Sequence, residues 1–284
     1  MRPQPETPAD DAPREAMDGS PIRRGDGREA VLCLHGLTGT PYEVAPIAHA
    51  LADEGYAVRA PLLAGHDDLE SLEDSTWHDW YDTAERELDA LLDPREGGTG
   101  REVIVLGFSM GALLALRLAA LRPRDVRAAV VLSVPLEIPA WQRPLIEGMA
   151  RLRETPVIGT LVGLWPKRRG PDVRIEAERA TSPSMNAFPY PALAQLVALQ
   201  QDVARLLPLV RVPLLLVHGA LDHTAPAELS ERVAQRVSAE RVERVILPRS
   251  FHILARDLDR DRLRAEVTRF THSIFTPYAT ENRP

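Results

Sequence analysis

The sequence predicts an α/β protein built on a doubly wound, mostly parallel sheet, with a helical cap inserted into it. Three observations point there. Short apolar runs recur along the chain, and most lack polar alternation, which is how strands buried on both faces of a parallel sheet read. Longer stretches with helical spacing separate these runs, the pattern of helices covering both sides of such a sheet. One segment, 136–209, carries helical spacing with no convincing strand and interrupts the alternation.

In chain order, residues 1–20 are rich in Pro, Asp, Glu and Arg and poor in apolar side chains. They bury too little surface to offset the entropy of ordering, so a disordered tail is expected. The first clear run is Ala30-Val31-Leu32-Cys33-Leu34, followed by a helical stretch over 43–54. The run Tyr56–Arg59 precedes a helix over 76–92, and Val103–Leu106 precedes one over 110–121, after which comes the run Ala128–Leu132. Within the interruption, Leu145, Ile146, Met149 and Leu152 recur at helical spacing, as do Leu193, Leu196, Val197, Leu199 and Val203. The alternation resumes with the run Pro213–Val217, a helix over 226–238, the run Arg244–Leu247 and a helix over 257–271. The expected division is an N-terminal tail over 1–20, a core over 21–135 and 210–276, a cap over 136–209 and a C-terminal tail over 277–284.

The chain has 284 residues, which suits one large domain or a domain with an insertion. Its net charge of −7 argues against a nucleic-acid partner, which calls for a basic surface. The cluster Lys167-Arg168-Arg169 reads as a solvated loop. Cys33 is the single cysteine, so no intramolecular disulfide forms, and its apolar run marks a buried, inert thiol. No run reaches the roughly 20 apolar residues of a membrane span, and the N-terminus lacks the apolar region of a secretory signal. The cytoplasm is the expected location.

The chemistry concentrates at the ends of the apolar runs, because open α/β sheets bind ligands beyond the carboxyl ends of their strands. Gly107-Phe108-Ser109-Met110-Gly111 follows one such run and opens a helical stretch. This is G-x-S-x-G in a strand–turn–helix setting, where a serine on a tight turn projects its oxygen from the sheet. Small neighbours relieve close contacts in that strained turn. The helix start directs N–H groups and partial positive charge at the site, so the Met110 N–H faces a developing oxyanion.

A serine hydroxyl needs a base. Asp222 lies beyond the run ending at Val217, and His252 lies beyond the run ending at Leu247, both at the same edge of the sheet as Ser109. His252 is placed to take the Ser109 proton and Asp222 to orient the imidazole and stabilise its cation. Glu137, after the run ending at Leu132, is a rival carboxylate, and Asp257 a weaker one. His49 and His78 read as surface or core residues and His218 as a packed, hydrogen-bonded one, while His272 lies too near the C-terminus. Leu34-His35-Gly36-Leu37-Thr38-Gly39-Thr40 follows the first run, and its glycines let the backbone turn so that the Leu37 N–H serves as a second oxyanion donor. Trp77, Trp80 and Tyr81, at helical spacing, read as core rather than as a binding platform.

The combination HGLTGTPYE, GFSMGA, Asp222 and His252 resembles the bacterial carboxylesterases and monoacylglycerol lipases of the α/β-hydrolase superfamily. Ala60-Pro61-Leu62-Leu63-Ala64-Gly65-His66 followed by Thr76-Trp77-His78-Asp79-Trp80 extends the resemblance, which covers roughly 28–135 and 205–272. It implies the α/β-hydrolase fold, Ser109, Asp222 and His252 as a triad, and backbone N–H groups of Leu37 and Met110 as the oxyanion hole. Two departures stand out: Gly65-His66-Asp67 in place of the family's Gly-His-Gly, and Phe251 before the histidine.

The expected reaction is two-step acyl transfer through Ser109. The expected partner is a small lipophilic ester with a short- to medium-chain or lipid-like acyl group. Other serine-dependent chemistries of the fold are the alternatives: thioester hydrolysis, acyl transfer or carbon–carbon cleavage. A non-catalytic ligand binder on the same fold is the rival from another class. No cysteine cluster or H-E-x-x-H pattern asks for zinc, and the glycines of 35–40 lack dinucleotide-binding spacing, so no cofactor is expected.

Overall fold

Six of the apolar runs become adjacent strands, with a seventh strand added at one edge. A computed structural model describes residues 19–93, 103–155, 157–167 and 170–276. The expected C-terminal tail and most of the N-terminal one lie outside the described residues. The strands are β1 (Ile22–Arg24), β2 (Ala30–Leu34), β3 (Ala57–Ala60), β4 (Val103–Phe108) and β5 (Val126–Leu132). Two-residue strands β6 (Trp165–Pro166) and β7 (Ala187–Phe188) follow, then β8 (Leu214–Gly219) and β9 (Val242–Leu247). The main sheet has the order β1-β3-β2-β4-β5-β8-β9. All its pairings are parallel except that of β1, which runs antiparallel on the edge with Ile22 opposite Ala60. The sequence reading missed β1, because three residues with two arginines carry no apolar run.

The helices are α1 (Ala45–Asp53), α2 (Leu69–Asp74), α3 (Trp77–Leu92), α4 (Met110–Leu121) and α5 (Gln142–Arg153). They continue with α6 (Glu176–Thr181), α7 (Tyr190–Leu206), α8 (Glu228–Arg236) and α9 (Arg260–Phe275). Side chains alternate across a strand, and each sheet face therefore builds its own core. Ala30, Leu32, Leu34, Val103 and Val105 pack with apolar residues of α3, α4, α7 and α8. Val31, Cys33, Ile104 and Leu106 pack with those of α1 and α9, including Ile47, Leu51, Leu263 and Phe270. Cys33 is fully buried, and that burial pushes its thiol pKa up to about 12. Trp77, Trp80 and Tyr81 are buried within the first core.

The segment between β5 and β8 departs from simple winding. It holds α5, the antiparallel ribbon β6–β7, α6 and α7. The sequence reading saw no strand here, and two-residue strands leave no periodicity to read. Helix α7 joins the core of the first face through Leu199 and Val203, and its Gln200 side-chain amide donates to the Pro135 carbonyl at 2.7 Å.

Two sequence expectations need correction. The cluster at Lys167 is not wholly a solvated loop. Lys167 is half-buried, its Nζ stands 4.7 Å from the Phe188 ring centroid, and burial lowers its pKa to about 8 against the pull of Glu43. The helix expected from residue 257 starts at Arg260. Asp257 and Asp259 instead turn their carboxylates back onto the preceding loop, accepting from Phe251 N–H at 2.8 Å and Arg249 N–H at 2.7 Å.

Candidate active site

The central strand β4 ends where α4 begins, and Ser109 is the single residue between them. Its φ is 53° and ψ −117°, a left-handed conformation rare for a residue with a side chain. The turn is held by Ser109 N–H donating to the Leu132 carbonyl at 2.9 Å and by Ala112 N–H donating to the Ser109 carbonyl at 2.9 Å. Close packing requires the flanking glycines. A Cβ on Gly107 would lie 2.0 Å from the Gly111 carbonyl oxygen, and one on Gly111 would lie 2.2 Å from the Leu34 oxygen.

Three residues far apart in the sequence meet here. His252 Nε2 lies 2.9 Å from Ser109 Oγ, and His252 Nδ1 lies 2.7 Å from Asp222 Oδ2. Of the rival carboxylates, Glu137 is exposed and paired with Arg232, while Asp257 accepts the backbone N–H groups of Phe251, Leu258 and Arg174. The carboxylate beside the imidazole is Asp222.

Asp222 sits in a turn that follows β8. Its Oδ1 accepts the N–H groups of Thr224 and Ala225, each at 2.8 Å, and its Oδ2 lies 3.3 Å from His218 Nε2. Burial alone would raise its pKa. The charge and hydrogen bond of His252, with the bonds from His218 and Ala225, outweigh that and hold the carboxyl well below the usual carboxylate range. Burial likewise disfavours the imidazolium of His252, but Asp222, then Asp172 and Glu43, raise its pKa above the ordinary value of 6.5. Because Nδ1 faces an ionised carboxylate, it carries the proton, and Nε2 is left to accept from the Ser109 hydroxyl.

The loop after β2 faces the same point. Gly39 N–H donates to the Gly36 carbonyl at 3.1 Å, and Gly36 N–H donates to Glu43 Oε2 at 2.9 Å, with Leu37 between them. His35 is fully buried. Its Nε2 accepts the Leu63 N–H at 3.0 Å, so its proton is on Nδ1, which donates to the Gly36 carbonyl at 2.9 Å. Burial, then the neighbouring His66, keeps this imidazole neutral by lowering its pKa well below 6.5. Met110 opens α4, and the first N–H of a helix has no intrahelical acceptor.

Three residues at the site escaped the sequence reading. Glu43 lies in the quoted motif HGLTGTPYE, yet its carboxylate is buried beneath the loop it braces. Ser133, at φ 48°, donates its hydroxyl to the His252 carbonyl at 2.8 Å. Asp172, from the inserted segment, accepts the His252 N–H on its own carbonyl at 3.1 Å. Glu43 carries no signal of this in the sequence, because its burial comes only with the fold. The other two contacts span 119 and 80 positions, and no local pattern marks them.

Among the described residues, no cluster of His, Cys, Asp or Glu has the makings of a metal site, and no helix is long and apolar enough to cross a membrane.

The chain is 31% identical over 240 residues to the thermostable monoacylglycerol lipase of Bacillus sp. strain H-257, covering 84% of this chain and 88% of that one. A solved structure reported for LipS and LipT, two metagenome-derived lipolytic enzymes, superposes with a TM-score of 0.78 at 23% identity, covering 90% of this chain and 98% of that one. The monoacylglycerol lipase of Paleococcus ferrophilus does so with a TM-score of 0.73 at 17% identity, covering 89% and 98%. The α/β-hydrolase family described as serine aminopeptidase, S33, matches residues 25–259, and this chain belongs to it.

Proposed function

We propose that the chain is a serine-dependent carboxylic ester hydrolase that forms an acyl-enzyme on Ser109. The observation that carries this is the continuous relay Ser109–His252–Asp222, with contacts of 2.9 and 2.7 Å, at the carboxyl edge of the sheet. Membership of the hydrolase family and 31% identity to a monoacylglycerol lipase support esters as the substrate class.

Ser109 Oγ attacks the ester carbonyl while His252 Nε2 takes its proton. The carbonyl oxygen becomes an oxyanion held by the N–H groups of Leu37 and Met110. Collapse of this intermediate breaks the bond to the alcohol, which leaves with the proton from His252. Water, deprotonated by the same imidazole, then attacks the acyl-enzyme; the bond to Ser109 Oγ breaks, Oγ takes the proton back from His252, and the carboxylic acid leaves. Asp222 keeps the imidazole in the Nδ1–H tautomer and stabilises its cation. Oxyanion donors of this kind are worth on the order of 100–1,000-fold in rate each.

Residues 136–209 act as a cap over the strand ends, and their apolar side chains suit short- to medium-chain or lipid-like acyl groups. A chain-length series of p-nitrophenyl esters tests the reading. Turnover at one or more lengths is expected, with Ser109→Ala slower by at least about 10,000-fold and no longer labelled by a fluorophosphonate. Zero turnover at every length, with amides or thioesters cleaved instead, would move the reaction class.

A further inference from the structure

The catalytic histidine hangs on a loop, and loops hold geometry only as well as their ties allow. Both backbone polar groups of His252 are tied, and one tie comes from the inserted segment rather than from the sheet. We propose that Asp172 is a positioning residue for the hydrolytic reaction, fastening the loop that carries His252 to the loop that carries Asp222. This rests on the reading of Ser109, His252 and Asp222 as the catalytic groups.

The fastening uses both ends of Asp172. Its carbonyl oxygen accepts the N–H groups of His252 and Ile253, each at 3.1 Å. Its carboxylate reaches the turn just after Asp222. There Oδ2 accepts from His223 N–H at 3.0 Å and from the Thr224 hydroxyl at 3.1 Å, and Oδ1 lies 3.0 Å from His223 Nδ1. Thr224 also donates its N–H to Asp222 Oδ1 at 2.8 Å, so one residue contacts both carboxylates. From the sheet side, the Ser133 hydroxyl holds the His252 carbonyl at 2.8 Å.

Neighbouring contacts reinforce the strap. Arg174 N–H donates to Asp257 Oδ2 at 3.2 Å, the oxygen that also takes Phe251 N–H. The Arg174 guanidinium donates to the Arg249 carbonyl at 3.2 Å and stands 5.5 Å from the Phe251 ring. His223 meets the same ring edge-on at 4.4 Å. Phe251, the residue that departs from the family pattern, is thus the apolar filler between the strap and the two catalytic loops.

Two consequences distinguish positioning from mere bulk. The strap sets the imidazole's approach to Ser109 Oγ, which governs the rate of proton transfer rather than substrate affinity. The Asp172 charge also joins those of Asp222 and Glu43 in facing His252, and so favours the imidazolium that forms during attack.

The test is steady-state kinetics of full-length Asp172→Asn and Asp172→Ala on p-nitrophenyl butyrate across pH. Asn keeps the backbone carbonyl and the side-chain shape, so it decides the matter even if the Ala variant fails to fold. The expected result is a kcat lower by roughly 10- to 100-fold, KM within about twofold, and an acid limb of kcat/KM moved to lower pH. Thr224→Val, which removes one carboxylate tie and no charge, should lower kcat without moving that limb. Wild-type kcat in Asp172→Asn would overturn the proposal, and so would a fall in kcat with an unmoved acid limb. Full activity in Ser109→Ala would instead overturn the catalytic reading beneath it.

Discussion

At the scale of single residues, the site depends on charges placed where water cannot screen them well. Asp222 has a fully buried side chain yet stays ionised, because two backbone N–H groups and two histidines surround it. His252 feels that charge and binds its proton more tightly than a free imidazole. Only the neutral form can accept the Ser109 proton. Activity should therefore rise with pH through a single ionisation whose midpoint lies above 6.5, the ordinary histidine value, and fall as the solution is acidified through it. The pH profile of kcat/KM measures this directly, and a midpoint below the ordinary value would contradict the charge arrangement. Glu43 is the complementary case. Burial raises its pKa against the Gly36 N–H, Lys167 and His252. The serine at the strand–helix turn and the glycine turn after β2 were legible in the sequence because each carries a local motif. Glu43 was not, since an acid four residues beyond Gly39 looks solvated until the fold closes over it.

At the scale of elements, the turn from β4 into α4 is the most constrained feature. Nothing but hydrogen fits at Gly107, where an added methyl would sit 2.0 Å from one backbone oxygen and 2.6 Å from the Ala112 nitrogen. Gly107→Ala should cost about 2–3 kcal/mol, near the upper end for forced overpacking. The obstructing atoms are backbone, so the strain passes into the Ser109 turn. Thermal unfolding and ester hydrolysis checked side by side should show activity falling further than stability. Strand and helix positions were mostly legible from periodicity, as at β2 and α4. The failures have two causes: β1, β6 and β7 are too short for a period, and the first turn expected of α9 gives up its carboxylates to the loop beneath His252.

At the scale of the whole molecule, two separate cores grip one sheet, and the inserted segment adds contacts at both sides of the site. Met185 N–H donates to the Thr38 carbonyl at 2.9 Å, while Asp172 holds the His252 loop. The face covered by α1 and α9 is the simpler one to probe. Phe270 is fully buried there and lies far along the chain from Ser109 and Asp222. Phe270→Ala should cost about 3–5 kcal/mol, lowering Tm by roughly 10 °C, with kcat/KM on the remaining folded protein close to wild type. Differential scanning calorimetry with ester assays well below Tm checks both halves.

The sequence by itself determined six of the seven strands of the main sheet and the serine at the strand–helix turn. Each of these is written in residues close together, where side-chain period, glycine and turn chemistry act locally. Only the tertiary structure decided that Asp222 and not Glu137 stands beside His252, that the Glu43 carboxylate is buried against the Gly36 N–H and that Asp172 contacts both the loop of Asp222 and the loop of His252. Those outcomes depend on which strand ends become neighbours and how an insertion folds back over them. Contacts across 30 to 143 positions are set by packing of the whole chain, and no local pattern encodes them.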